Sequence, residues 1–221
     1  MKGLVLKDIY TVRFQVAAAL MIMLLPNIVA LFLDSGSNMP KQMSDLIMLF
    51  IHGSLNFINI CIFSSFVLNT LEDDVNSGWH DIVSTFPVSR RVITGAKFVS
   101  SGMIVALLTV VSLVFNVIAC IKNALPAEPM IAVPICIGVI QMGVLCPVFP
   151  LARRFGTKRA GAIYLALEII ITIAAVVLMA VLLDSGNASV LMRVVFYAAA
   201  PLAAGISVWL SYLFGGKVGN R

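Results

Sequence analysis

Apolar positions in this chain gather in long unbroken runs, and the polar positions collect between them. Six runs stand out, at about 14–33, 46–68, 98–121, 131–151, 162–183 and 194–214. With a rise of 1.5 Å per residue, a helix of about 20 residues crosses the roughly 30 Å hydrocarbon core of a bilayer. The pattern therefore predicts an all-α integral membrane protein: six transmembrane helices in a single domain, 1–221, with short amphipathic helices between them. Ahead of the first run, MKGLVLKDIYTVR mixes Lys2, Lys7 and Arg13 with Leu4, Val5, Ile9 and Val12. That mixture suits either a short amphipathic helix at the inner interface or an ordinary charged tail.

Breaks in the pattern add detail. Pro26 predicts a bend in the first span, with neighbouring helices satisfying the carbonyl it frees. Pro134, Pro147 and Pro150 predict a broken or kinked fourth span, either a moving part or an irregular packing element. The linkers DSGSNMPKQMSD, KNALPAEPM and DSGNAS carry turn formers, and the brevity of the second makes spans three and four antiparallel neighbours. Small residues such as Ala200 and Ala204 give the last span a face for close helix approach.

Polar residues inside the runs are the next signal. His52, Asn56 and Asn59 are spaced four and three residues apart, so they share one helical face, which must turn toward protein or water. Such a face lines a transport path, or it holds the bundle together through interhelical hydrogen bonds. Glu168 is the one acid deep in a run, about two turns from the inner boundary and within snorkelling range of Lys158 or Arg159.

The longest polar interval, 69–97, has internal structure. Asn76, Ser77 and Gly78 signal a turn, with Ser77 placed to cap a new helix. Trp79, Ile82, Val83 and Phe86 then form an apolar stripe with His80, Asp81 and Ser84 opposite, and Pro87 ends it. Ser89 caps the next helix, whose first turn carries Arg90 and Arg91 and which continues through Lys97 into span three. Cations are mildly unfavourable at a helix N-terminus. These arginines are expected to answer acids nearby, such as Glu72, Asp73 and Asp74, or to answer a partner. A helix lying on anionic lipid with Trp79 at the headgroups accounts for the same pattern.

Charge sets the orientation. The expected inner segments hold twelve Lys and Arg, four of them packed into ARRFGTKRAG from Ala152, against three in the outer ones. By the positive-inside rule both termini face the cytoplasm, in a multi-pass protein of the cell membrane with no cleaved signal peptide. The net charge of +5 thus reflects topology, and nucleic acid is not the expected partner. Composition agrees, since 61% of residues are hydrophobic and only 11% charged, against about 25% charged in soluble domains. The phosphate loop of an ATPase is absent, so any energy source lies in another chain. Cys61, Cys120, Cys136 and Cys146 lie in apolar runs without CxxC spacing, which predicts neither a disulfide framework nor a metal site.

The acidic cluster after span two, followed by N-x-G-W and T-F-P-V-S-R-R-V-I-x-x-A-K-F, resembles the corresponding stretch of type-2 ABC exporter permeases, in particular the small six-span group that includes peptide-toxin exporters of the phenol-soluble modulin kind. P-V-F-P-L-A-R-R-F-G-T-K-R-A and the opening M-K-G-L-x-x-K-D are similar to further segments of that group, with Phe86 and Phe98 standing where leucine and tyrosine are usual. The resemblance implies that Trp79, His80, Asp81, Ile82, Val83, Phe86 and Pro87 form a coupling helix seated in a separate ATP-binding subunit. Glu72, Asp73, Asp74, Arg90 and Arg91 would be its flanking contacts. It also implies two permease copies, or a copy and a homologue, with ATP and Mg held by the partner. The chain itself needs no cofactor and performs no catalysis.

The expected activity is ATP-driven export of an apolar or amphipathic cargo such as a peptide, toxin, lipid or drug, with His52, Asn56, Asn59 and Glu168 along the path. Two other classes remain open on the residues alone. One is an ion- or proton-coupled carrier titrating Glu168 and His52; the other is a non-transporting membrane scaffold or immunity factor.

Overall fold

The computed structural model describes residues 2–32, 41–62, 64–79, 82, 85, 89–184, 201–202 and 204–211. Among them every regular element is helical: α1 (Lys2–Phe32), α2 (Lys41–Phe57), a π-helical segment (Ile58–Ile62), α3 (Val67–Asn76), α4 (Arg90–Asn123), α5 (Ala127–Phe155) and α6 (Thr157–Asp184). Four helices among the described residues are long and apolar enough to cross a membrane: Lys2–Phe32, Met43–Cys61, Arg91–Asn123 and Ala127–Ala152. α6 covers the fifth expected span. Of the sixth, residues 201–202 and 204–211 are described, and they are helical.

Two expectations change at the N-terminus and in the second span. Residues 2–13 are no separate amphipathic helix; they are the first turns of α1, continuous with the span. At 31 residues α1 is about 46 Å long, and the 34 residues of α4 give about 51 Å, both well beyond the hydrocarbon core. Their surplus turns meet at one end of the bundle, where α3 ends and α4 begins. The second span does not run as one α-helix through Leu68. It changes to π-helix at Ile58 and restarts as α3 at Val67.

Packing is antiparallel from α4 to α5. Asn116 bonds to Met130, the Thr109 hydroxyl lies where a Cβ on Gly138 would go, and Met142 packs on Gly102. α1 packs along α4, and α6 along α5. Three apolar clusters fill the interior. Val12, Met23, Val67, Leu108 and Phe149 join α1, α3, α4 and α5; Ile60, Val105, Leu145, Val148 and Tyr164 centre on the π segment; Met48, Ala119, Leu125 and Met130 close the opposite end. The outer faces are apolar as well, with Phe14, Leu25 and Phe32 of α1 and Val110, Val114 and Ile121 of α4 exposed, as lipid contact requires.

α5 holds Pro134, Pro147 and Pro150 yet is unbroken over its 29 residues. A proline removes the bond to the carbonyl four residues before it, and neighbours supply the replacements. Asn116 Nδ2 donates to the Met130 carbonyl at 2.7 Å, and Ser207 Oγ donates to the Gly143 carbonyl at 2.7 Å, so the groups freed by Pro134 and Pro147 are both satisfied. The second bond needs close approach: a Cβ on Gly143 would stand 2.9 Å from the Ala204 Cα. Ala204 thus serves the small-residue face read from the sequence, while Ala200 lies outside the described residues.

The ARRFGTKRAG stretch is not a loop. α5 ends at Phe155, α6 starts at Thr157, and Gly156 alone forms the joint, at φ 86° and ψ 158°, a conformation essentially reserved for glycine.

Candidate functional site

The polar residues fall into three layers. The first is at the end of the bundle where α1 and α4 begin. Extending the buried stripe of α1 (Val12, Ala19, Met23) back by one turn lands on Asp8, which is only 2% exposed. A carboxylate so placed requires a cation. Lys97 of α4, 6% exposed, supplies it: Nζ lies 2.8 Å from Asp8 Oδ1 and 2.8 Å from Asp74 Oδ2 of α3. Ser100 Oγ donates to Asp8 Oδ2 at 3.2 Å. Lys7 pairs with Asp74, sits 3.5 Å from Asp8, and lies over the Trp79 ring at 4.8 Å from its centre. Asn69 Nδ2 of α3 donates to Gln15 Oε1 of α1 at 3.1 Å. Three helices are thereby bound by two cations and two anions, around a cavity of about 200 Å³ lined by Leu4, Leu71, Trp79, Thr94, Phe149 and Thr157 beside the charges.

From this cluster the chain enters the interval read as a coupling element. Ser77 closes α3 as its C-cap, bonding back to the Asp73 carbonyl, where a helix-starting cap was expected. Gly78 at φ 66° makes the turn, Trp79 follows against Lys7, and Ile82 N bonds to the Gly78 carbonyl at 3.3 Å. Ile82 is 49% exposed. His80, Asp81, Val83, Phe86 and Pro87 lie outside the described residues. Ser89 caps α4 as expected, accepting from Val92 N. Asp74 is answered by Lys97 and Lys7, while Glu72, Asp73 and Arg91 are exposed. Arg90 stands in the first turn of α4.

The second layer surrounds the π segment. The Cys61 carbonyl accepts from Ser64 Oγ at 2.9 Å and from the Tyr164 hydroxyl at 3.3 Å. Gln141 Nε2 of α5 donates to Ser64 Oγ at 2.6 Å and to the Tyr164 oxygen at 2.7 Å. Glu168 follows Tyr164 by one turn and lies within hydrogen-bonding reach of Tyr164 and Cys61, whereas Lys158 and Arg159 are exposed. The third layer holds His52 and Asn56 of α2 with Asn59 of the π segment, which the structure brings onto one face at 1–2% exposure.

Helices with apolar outer faces, tied at one end by a charged cluster, describe a helical membrane protein. A family model described as ABC-2 family transporter protein matches residues 3–218. The chain belongs to that family. Neither the curated proteins nor the solved structures give a match. As an ABC-2 permease it is a membrane transport component, and the family implies an ATP-binding partner.

Sequence reasoning missed Asp8, Ser100, Gln141 and Tyr164 in this permease. A usable signal existed for Asp8, the acid one turn before a buried stripe. Gln141 and Tyr164 stand alone in apolar runs, and only the fold shows that they meet.

Proposed function

We propose that the chain is the membrane-spanning subunit of an ATP-driven exporter for an apolar or amphipathic cargo. It has six spans, both termini at the cytoplasmic face of the cell membrane, and works as one of two permeases with two ATP-binding subunits. The observation that carries this reading, beyond family membership, is the clamp of Lys7, Asp8, Asp74 and Lys97, which fastens the start of the 69–97 interval to α1 and α4 at once. In this reading the segment from Trp79 to Phe86, followed by Pro87, docks on the ATP-binding subunit. Exposed Ile82 supports it as an apolar contact, and Trp79, held by Lys7, passes the displacement to the bundle. ATP binding then biases the helix arrangement between two states. Glu72, Asp73, Arg90 and Arg91 flank the docked segment.

The test is co-purification with a cassette ATPase. Ile82→Asp and Phe86→Ala are expected to dissociate the complex and to abolish cargo-stimulated ATP hydrolysis while the permease stays folded. An intact complex with both substitutions would remove the docking assignment. Transport that persists without any ATPase and is lost on Glu168→Gln would instead assign the chain to the ion-coupled carriers.

A further inference from the structure

The third polar layer differs from the other two. His52, Asn56 and Asn59 face inward from α2 and the π segment, while Ser112 and Asn116 face inward from α4, all at 2% exposure or less. Met48 shares a cluster with Ala119, and Ile60 shares another with Val105, so α2 and α4 are antiparallel and Ser112 and Asn116 fall at the levels of the α2 stripe. Among the described residues neither ring nitrogen of His52 has a hydrogen-bond partner, nor do Asn56 Oδ1, Asn59 Nδ2, Ser112 Oγ or Asn116 Oδ1. Most of the buried side-chain atoms without a partner among the described residues lie here, whereas Gln141 Nε2 and Ser64 Oγ close by are bonded.

Atoms of this kind inside a bilayer require partners. Lipid cannot provide them, and a second copy cannot reach side chains that one chain already buries. The chemistry of the set identifies the occupant. Asn59 Nδ2 is a donor, Asn56 Oδ1 and Asn116 Oδ1 are acceptors, and the imidazole and the Ser112 hydroxyl are both. A bare cation needs acceptors alone and an anion needs donors alone. Water donates and accepts, and it bridges buried polar groups with two to four bonds.

We propose that the seam between α2 and α4, bounded by α5, is an internal water-binding site within a single permease. Bonds made through water re-form after a small displacement, whereas direct side-chain bonds fix one register. The seam therefore lets α2 shift against α4 with the π segment as its joint; the use of that shift in transport rests on the exporter reading, but the water site does not.

The experiment is X-ray radiolysis of the purified permease in ¹⁸O-labelled water, with modification read residue by residue by mass spectrometry. Met23, 0% exposed and set among apolar neighbours, is the internal dry control. His52 is expected to take up ¹⁸O at least tenfold faster than Met23, although methionine is the more reactive side chain. An equal or slower rate at His52 overturns the proposal. In the Asn56→Leu, Ser112→Ala protein the His52 rate is expected to fall at least threefold, and an unchanged rate means that oxidant arrives by another route, which also overturns it. Because the ATP-binding subunit is absent from the measurement, a failed docking test and a failed water test are independent results.

Discussion

The charged end of the bundle and the α2–α4 seam hold comparable numbers of buried polar side chains, and they treat them in opposite ways. At the charged end the buried ions Asp8 and Lys97 are paired in a closed network with half-buried Asp74 and Lys7 and with Ser100. At the seam, His52, Asn56 Oδ1, Asn59 Nδ2, Ser112 Oγ and Asn116 Oδ1 have no partner among the described residues. Directional ionic bonds convert three helices into one body; their absence leaves two helices free to adjust. In the exporter reading the first is a rigid input and the second a compliant interior, and they lie on consecutive helical segments, α3 for the first and α2 for the second.

The sharpest way to break this comparison is Lys97→Met. It strands Asp8 and Asp74 with Lys7 alone, and loss of one partner from a buried ion pair costs about 3–5 kcal/mol. Thermal unfolding in micelles should register that loss, and adding Asp8→Leu should recover part of it, since a buried pair replaced by apolar groups is often tolerated. Ser207→Ala tests the satisfied carbonyl within α5. It should cost about 1–3 kcal/mol in the same assay by leaving the Gly143 carbonyl bare. Asn56→Leu should have the smallest effect, within about 1 kcal/mol of the parent, because no direct bond is lost. A loss at Asn56 as large as that at Lys97 would erase the distinction between the two regions.

Much of the fold was legible in the sequence because lipid imposes a one-dimensional rule: charge-free length. That rule located the helices, and the helical period put His52, Asn56 and Asn59 on one buried face. Ser89 was legible as a cap because its cue is local. Lys97 read as one of a basic trio beside the membrane, and its burial depends on Asp8, 89 residues away. Pro134 and Pro147 of α5 read as breaks because the donors that mend them, Asn116 and Ser207, sit on other helices. The π segment was invisible, since its residues carry the same apolar character as an α-helix and its extra residue is stabilised by Ser64 and Tyr164 at the Cys61 carbonyl. At Trp79, the ring's attachment to Lys7 was not readable, because Lys7 lies 72 residues earlier in the chain.

The bond from Ser207 to Gly143 also bears on how the protein is made. Helix α5 is synthesised before residue 207, so its Gly143 carbonyl is made before the hydroxyl that will cover it. α5 is therefore a provisional helix during biogenesis, completed when the last described helical stretch docks with Ala204 against Gly143. Quality control that samples unfinished chains would find an unmade contact at that position, and it would vanish in a single late step.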